Sequence, residues 1–490
     1  MNYRKFGALH LGIGRRSFLR VASGATLGAS MSGGFLVGCE SSSSNIAEPF
    51  DATTPWWLQG NFAPVYDEVA ATDLEVHGAI PSALDGRYVR NGSNPASGES
   101  AHWFFGDGML HSVELSGGRA TAYRNRWVET GQLTGGTVPG NVPGGGNNAS
   151  NVSAIHHAGK LLTSGEVGLP FEIDANDLST VGVYDFGGKL TQSFTAHPKI
   201  DPATGYLHSF GYWFFGEDLL LYHVTDEAGA LVSTQRIEVG QSSMMHSFAI
   251  TEEDVVFWEA PVMFDLEAAV AGDPVPFVWD PSYGARIGVM PLGGPTESIR
   301  WVEVDPFYVF HEVNAYRDGD DVIVDVCSHP DMFNGSDLVG GTGDSALKRW
   351  RINTAGEQLS YAEEVIATNP FELPSHDRRF TGRKHRHGWF VATRDDPQTI
   401  DFAGIGHVDY RTGAISEWDP GRTRHAGEAF FVPEGSGEAE GWLLTFVYDH
   451  ASRRSVLAIL EAENVAAGPI AEVALPQRVP YGFHGVWIPS

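Results

Sequence analysis

The chain has 490 residues, 42% of them hydrophobic, so it can bury a large core. Its 61 Asp and Glu against 32 Lys and Arg give a net charge of −29. A surface of that sign repels phosphate backbones and anionic lipid headgroups, which argues against nucleic acid as a partner and leaves apolar or covalent routes to a membrane. Two cysteines, Cys39 and Cys327, build neither a disulfide framework nor a thiolate metal site.

In chain order, the first segment reads as an address. GRRSFLR at 14–20 sets Arg15 and Arg16 before Phe18 and Leu19, a pattern similar to a twin-arginine export signal. The stretch VASGATLGASMSGGFLVG that follows is rich in Gly and Ser and too weakly apolar for a stable spanning helix. It ends in LVGC, similar to a bacterial lipobox, in which Cys39 would be acylated. A signal cut nearby, or a plain hydrophobic tail, accounts for the same residues. Residues 1–39 are therefore expected to be a signal, 40–50 a flexible tether around Ser41 to Ser44, and 51–490 a single domain. The expected location is the periplasm, with membrane attachment if Cys39 carries a lipid. The twin-arginine route carries folded proteins and so suits one that binds its metal before export.

Beyond residue 50 the chain reads as short strands rich in Val, Leu, Phe, Trp and Tyr, among them LLLYHVTD, DVVFWEAPVMF, DVIVDVCSH, GWLLTFVYD and SVLAILEA. Turn signals separate them: DPATG at 201–205, DEAG at 226–229, RDGDD at 317–321, NTAG at 353–356 and DYRTG at 409–413. FDLEAAVAG near 264–272 is the best helical candidate, and GGTVPGNVPGGGNNAS at 135–150 is a loop by composition. Cys327, inside VIVDVCSHP, is expected to be a buried thiol. A long all-β stretch without a linker calls for one closed architecture, and a β-propeller protects its sheet edges by radial repetition. No fixed-period repeat is visible, so the blade number is not legible.

The chain has 19 histidines. His102 and His111 flank a Gly-rich turn, His156 and His157 sit together at an expected strand start, and His385 and His387 lie in the basic segment GRKHRHGW. Four others stand in apolar or aromatic settings: His197 in FTAHPKIDP, His246 in MMHSFAIT, His311 in YVFHEVNAY and His484 in YGFHGVW. No local motif such as HExxH links them, and each alone suits a hydrogen-bonded core residue. Only a fold that gathers distant strands on one axis makes them one site, and the innermost strands of a propeller do that.

RNGSNP (91–96), HWFFGDGMLH (102–111), AHPKIDP (196–202), HSFAIT (246–251), FHEVNAY (310–316), GRKHR (382–386), GEAFFVP (427–433) and RVPYGFHGVW (478–487) together resemble the carotenoid cleavage oxygenase family, in the family's order. The resemblance implies a seven-bladed β-propeller with a loop and helix cap over an axial non-haem Fe(II), one per chain. It implies that His197, His246, His311 and His484 hold the iron, and that Glu166, Glu372 and Glu428 stand behind the imidazoles. Glu172 competes with Glu166, and the SGEVGLP context favours the latter. Four neutral imidazoles suit iron and leave two octahedral positions for oxygen and substrate. Ser93 and Phe105 depart from the residues the family commonly carries there.

The implied activity is dioxygenase cleavage of a C=C bond in an apolar substrate, with O2 as co-substrate and two carbonyl products. No nucleotide-binding motif is present, in keeping with a reaction that needs no external reductant. A carotenoid or apocarotenoid is the favoured substrate, a stilbene the alternative; an isomerase on the same site and an exported propeller without catalysis are the other readings. Trp127 and Lys160 correspond to the region where stilbene cleavers bind a phenol, although Trp127 also suits the core and Lys160 a solvated strand start. Phe310 and Phe483, beside their histidines, are expected to line a dry tunnel or to pack the core.

Overall fold

The computed structural model describes residues 51, 53–136, 146–217, 219–273, 275–334, 345–394 and 401–490. Arg15, Arg16, Cys39, the tether and residues 137–145 of the expected loop lie outside them.

Seven antiparallel sheets form the seven blades of a propeller. Blade 1 pairs Gly485–Pro489 with Gly86–Ser93, then Gly108–Ser116, Arg119–Trp127 and, at its rim, Ala70–Thr72. Blades 2 to 6 run outward from Ser153–His157, Lys199–Ile200, Ala249–Ile250, Tyr308–Asp318 and Phe371–Ser375. Blade 7 starts from Arg424–Ala426 and Phe430–Pro433 and ends on Val76–Gly78. The C-terminal strand is thus the innermost of blade 1, while a strand from the other end of the domain covers the outside of blade 7. This crossed closure holds the ring shut and covers sheet edges.

Packing explains why the strands read as continuous apolar runs rather than alternating ones. In Asp254–Glu259, Val255 and Phe257 pack toward blade 3, while Val256 and Trp258 pack toward blade 5. In Gly441–Asp449, Trp442 and Leu444 face blade 1, and Leu443 and Val447 face blade 6. Both faces of a blade are buried against its neighbours, so successive side chains are all apolar. The expected turn segments each join two strands; Gly319 in RDGDD has φ 66, a left-handed conformation that glycine adopts without a Cβ clash. The helix expected near 264–272 spans Leu266–Ala271, capped by the Asp265 side chain and closed by Gly272 at φ 90. Cys327 is buried. One expectation is corrected: His156 and His157 end a strand, just before the turn at Ala158 and Gly159, rather than starting one. Among the described residues no helix is long and apolar enough to cross a membrane.

Candidate active site

The seven blades each bring one functional side chain toward the axis, in six of them where the inner strand starts or its ladder breaks and in blade 2 just past the second strand. His197, His246 and His484 stand just ahead of the inner strands of blades 3, 4 and 1. His311 lies inside Tyr308–Asp318, where the register shifts between Val309 and Glu312. Such a bulge turns a side chain out of the pleat. Glu372 sits at a register shift in blade 6, followed by Leu373 at φ 47, a strained backbone for a leucine. Glu428 falls in the break between the two inner segments of blade 7. Glu166 follows the strand Lys160–Ser164 of blade 2.

The four imidazoles form one group. Ring centroids of His197 lie 4.4 Å from His246, 5.1 Å from His311 and 4.6 Å from His484, and His311 is 5.0 Å from His484. His197, His311 and His484 offer ring nitrogens within 4.8 Å of one another. His246 joins them through its Nε2, 2.9 Å from Nε2 of His197.

Three carboxylates fix the rings from outside. Nδ1 of His311 is 2.6 Å from Glu372 Oε2, Nδ1 of His484 is 2.7 Å from Glu428 Oε1, and Nδ1 of His246 is 2.8 Å from Glu166 Oε2. A carboxylate only accepts, so Nδ1 of His311 and of His484 carries the proton and their Nε2 atoms keep the lone pair, while Glu166 stands beside His246 Nδ1 at contact distance without the alignment of a hydrogen bond. The buried Nε2 of His311 has no hydrogen-bond partner among the described residues. Burial, reinforced by the neighbouring histidines, pushes His197 well below its ordinary imidazole value, and burial also lowers His311 despite Glu372 beside it. Burial alone would raise the Glu372 carboxyl, but His311 and His329 outweigh it and hold it below the ordinary range. Neutral rings with convergent lone pairs are what a metal ion requires of imidazole ligands. Two nitrogens at right angles around an ion, each about 2.1 Å away, would stand about 3.0 Å apart. The His197–His246 spacing matches that separation. The residues therefore fit a divalent metal.

An aromatic shelf adjoins this group. Phe310 meets the His246 ring edge-on at 5.1 Å. Phe104 bridges Phe310 at 6.4 Å and Phe483 at 6.1 Å, and Trp103 packs on Phe483 at 4.6 Å. Phe310 thus touches the histidine group directly, and Phe483 packs on Trp103 and Phe104. Phe104, inside HWFFGDG, is a member that sequence reasoning left without a role. The same holds for Tyr212, whose hydroxyl donates to Glu166 Oε1 at 2.8 Å, and for His329.

Two expected residues stand elsewhere. Lys160 opens the strand at whose far end Glu166 lies, about 13 Å of extended chain away. It pairs with Glu172 Oε1 at 2.5 Å. That pairing also separates the two competing glutamates, since Glu166 goes to His246. Trp127 ends an outer strand of blade 1 and donates its indole N–H to the Asn94 carbonyl at 3.1 Å; no hydrogen bond or ring contact of it reaches the histidines among the described residues.

The family profile described as retinal pigment epithelial membrane protein matches residues 62–489. A carotenoid cleavage oxygenase of Mycobacterium tuberculosis is 35% identical over 91% of this chain and 99% of its own. The chain belongs to the carotenoid cleavage oxygenase family. An isoeugenol monooxygenase of Pseudomonas nitroreducens is 32% identical over 88% of this chain and 98% of its own. The crystal structure of lignostilbene dioxygenase from Pseudomonas brassicacearum superimposes with a TM-score of 0.80, at 28% identity, over 91% of this chain and all of that one. As a carotenoid cleavage oxygenase the chain is an oxidoreductase, a double-bond-cleaving dioxygenase.

Proposed function

We propose that His197, His246, His311 and His484 hold one ferrous ion, and that the enzyme uses it with O2 to split a C=C bond of an extended apolar alkene of the apocarotenoid type. The observation that carries this reading is the set of three carboxylates on Nδ1 atoms, which leaves the Nε2 lone pairs converging on the axis. Iron held by these four imidazoles would supply the means to activate O2 for attack on the alkene. Glu166, Glu372 and Glu428 hold the imidazole protons in place and offset the ion's charge. Phe104, Phe310, Phe483 and Trp103 give the alkene an apolar face to lie on and keep water from the reacting bond. The isoeugenol and lignostilbene relatives favour a second reading, a shorter phenolic alkene. Against it, Lys160, the lysine expected to meet a phenol, is paired with Glu172 away from the histidines.

Cleavage under isotopically labelled oxygen gas tests the reaction. Both carbonyl products of an apocarotenoid should carry label before exchange with water, from protein holding about one iron per chain. Label in one product alone would point to a monooxygenase route, and turnover without oxygen uptake to an isomerase. Faster cleavage of a hydroxystilbene than of any apocarotenoid would favour the phenolic reading. Export by the twin-arginine route and a lipid on Cys39 are part of the same proposal, supported by Arg15–Arg16 and LVGC. Replacing both arginines by Lys should hold the precursor in the cytoplasm, and Cys39→Ser should free the exported protein from the membrane fraction; normal export or an unchanged membrane fraction would remove the corresponding part.

A further inference from the structure

Each of the three carboxylates turns one oxygen to a histidine Nδ1 and receives a hydrogen bond on the other, and that outer donor differs from blade to blade. Glu428 gives Oε1 to His484 and receives the Gly485 amide on Oε2 at 2.8 Å. Glu166 gives Oε2 to His246 and receives the Tyr212 hydroxyl on Oε1 at 2.8 Å. Glu372 gives Oε2 to His311, and its Oε1 lies 2.9 Å from Nε2 of His329. Because a carboxylate only accepts, this Nε2 carries the ring proton and donates it.

His329 ends the strand Asp321–His329, which lies next to the His311 strand in blade 5. Its ring stands edge-on to Phe310 at 6.1 Å. The end of a β-ladder makes no demand for an imidazole, and the surroundings are aromatic: Phe310, with Tyr308 opposite in register. An apolar side chain would fill the place without the cost of desolvating a ring N–H. What the imidazole adds is one directed hydrogen bond, and it lands on the free oxygen of Glu372. On the opposite side the Leu373 amide, in its left-handed backbone conformation, reaches Oε2 at 2.8 Å. The carboxylate plane is therefore clamped between a strained main chain and a side chain from the adjacent strand.

We propose that His329 is a positioning residue of the metal centre: its Nε2–H fixes Oε1 of Glu372, so that Oε2 stays on Nδ1 of His311 and the His311 lone pair stays aimed at the axis. This rests on the reading of the four histidines as metal ligands. His329 serves blade 5 as the Tyr212 hydroxyl serves blade 4 and the Gly485 amide serves blade 1. Of the three outer donors it is the one that a substitution can remove while a neutral replacement restores the bond.

Co2+ is a suitable probe, since its visible absorption reports ligand geometry and its affinity can be read against a competing chelator on the full chain. His329→Phe and His329→Leu remove the donor; His329→Gln supplies an amide N–H of similar reach. The two donorless variants should bind Co2+ about tenfold more weakly and shift its visible bands, while the Gln variant stays within about twofold of the parent protein. If one donorless variant fails to fold, the other carries the comparison with Gln. Parent-like affinity and bands in a folded donorless variant would overturn the proposal. So would a Gln variant as weak as the donorless ones, which would mean that ring packing, and not the hydrogen bond, matters. A parent protein that binds no Co2+ at about one per chain would instead defeat the metal reading, and this proposal with it.

Discussion

Half-buried His311 and buried His385 each stand beside a carboxylate in neighbouring parts of the same propeller, yet their hydrogen-bond surroundings differ. Nε2 of His385 lies 3.3 Å from Asp325, whose two oxygens are each taken by the Arg349 guanidinium at 2.7 Å. The carboxylate belongs to the arginine, and the imidazole packs beside a finished ion pair. Other histidines of the blades behave alike. His208 Nδ1 meets the Tyr222 hydroxyl at 2.6 Å, His223 Nδ1 meets Thr234 at 2.9 Å, and His387 and His407 stack and share a contact of 2.9 Å. At the axis, by contrast, carboxylates approach Nδ1 of His311 and His484 from outside while the four rings face one another; an Nε2 without a hydrogen bond among the described residues is shared with His387 and does not by itself mark the axis. A nearby acid does not distinguish the two kinds, since His385 has one too. The direction from which the acid arrives decides whether a histidine is packing or a ligand.

The sharpest way to break this comparison is to disrupt each kind in turn, an axial histidine on one side and the carboxylate beside His385 on the other. His197→Ala, His246→Ala, His311→Ala or His484→Ala should abolish cleavage and strip the iron while the fold persists. Asp325→Asn should leave the iron content unchanged but destabilise the protein by about 3 kcal/mol, because Arg349 loses its partner. Iron analysis with urea unfolding separates the two outcomes. Full iron in any two of the axial variants, or iron loss in Asp325→Asn, would erase the distinction.

A smaller change tests the direction of approach itself. Glu372→Gln and Glu428→Gln keep the shape but replace a charged acceptor by an amide. Metal affinity or turnover should fall about 10–100-fold with the fold intact. Parent-like behaviour of both variants would mean that these acids do not hold the imidazoles.

Much of the axial centre was legible in the residues because each histidine and glutamate lies in a short aromatic or glycine-rich segment, such as FHEVNAY or RVPYGFHGVW. Those segments are irregular because the inner strands break there, and irregular backbone leaves a recognisable local pattern. His329 and Tyr212 lie in ordinary strand sequence, so nothing local marked them. Phe104 stood inside a recognised motif, but an aromatic ring reads as core until its neighbours are known. Lys160, for which the residues left a phenol contact and a solvated strand start both open, opens its strand paired with Glu172. Blade number stayed hidden because burial of both strand faces removes the alternation that would mark repeats.

Acid titration sharpens the packing side of the comparison. Burial lowers His208 and His223 to about 4. An unfolded imidazole takes its proton near pH 6.5, so between about 6.5 and about 4 the unfolded chain holds more protons than the folded one. Stability therefore falls as pH drops through that window, by up to about 1.4 kcal/mol per pH unit for each group. His208→Gln should flatten the pH dependence of the urea midpoint by about one proton, and an unchanged slope would show that His208 is charged in the folded protein.

The smallest expected effect comes from two tyrosines beside the centre. Tyr212 gives its hydroxyl to Glu166, whereas the hydroxyl of Tyr308, 1% exposed, has no hydrogen-bond partner among the described residues. Burial raises both phenols well above their ordinary value, with Glu166 adding to it, so both remain donors at any working pH. An unpaired buried hydroxyl costs about 1–3 kcal/mol, while its edge-on ring contact with Phe310 at 4.8 Å survives in a phenylalanine. Tyr308→Phe should therefore leave stability equal or higher by up to about 1 kcal/mol, with metal affinity unchanged. Tyr212→Phe frees one oxygen of Glu166 and should weaken metal binding severalfold. Thermal unfolding together with Co2+ titration reads both. If Tyr308→Phe instead lost metal affinity or stability, its hydroxyl would be engaged in the folded enzyme, and the line between packing and function would have to be redrawn one strand position closer to His311.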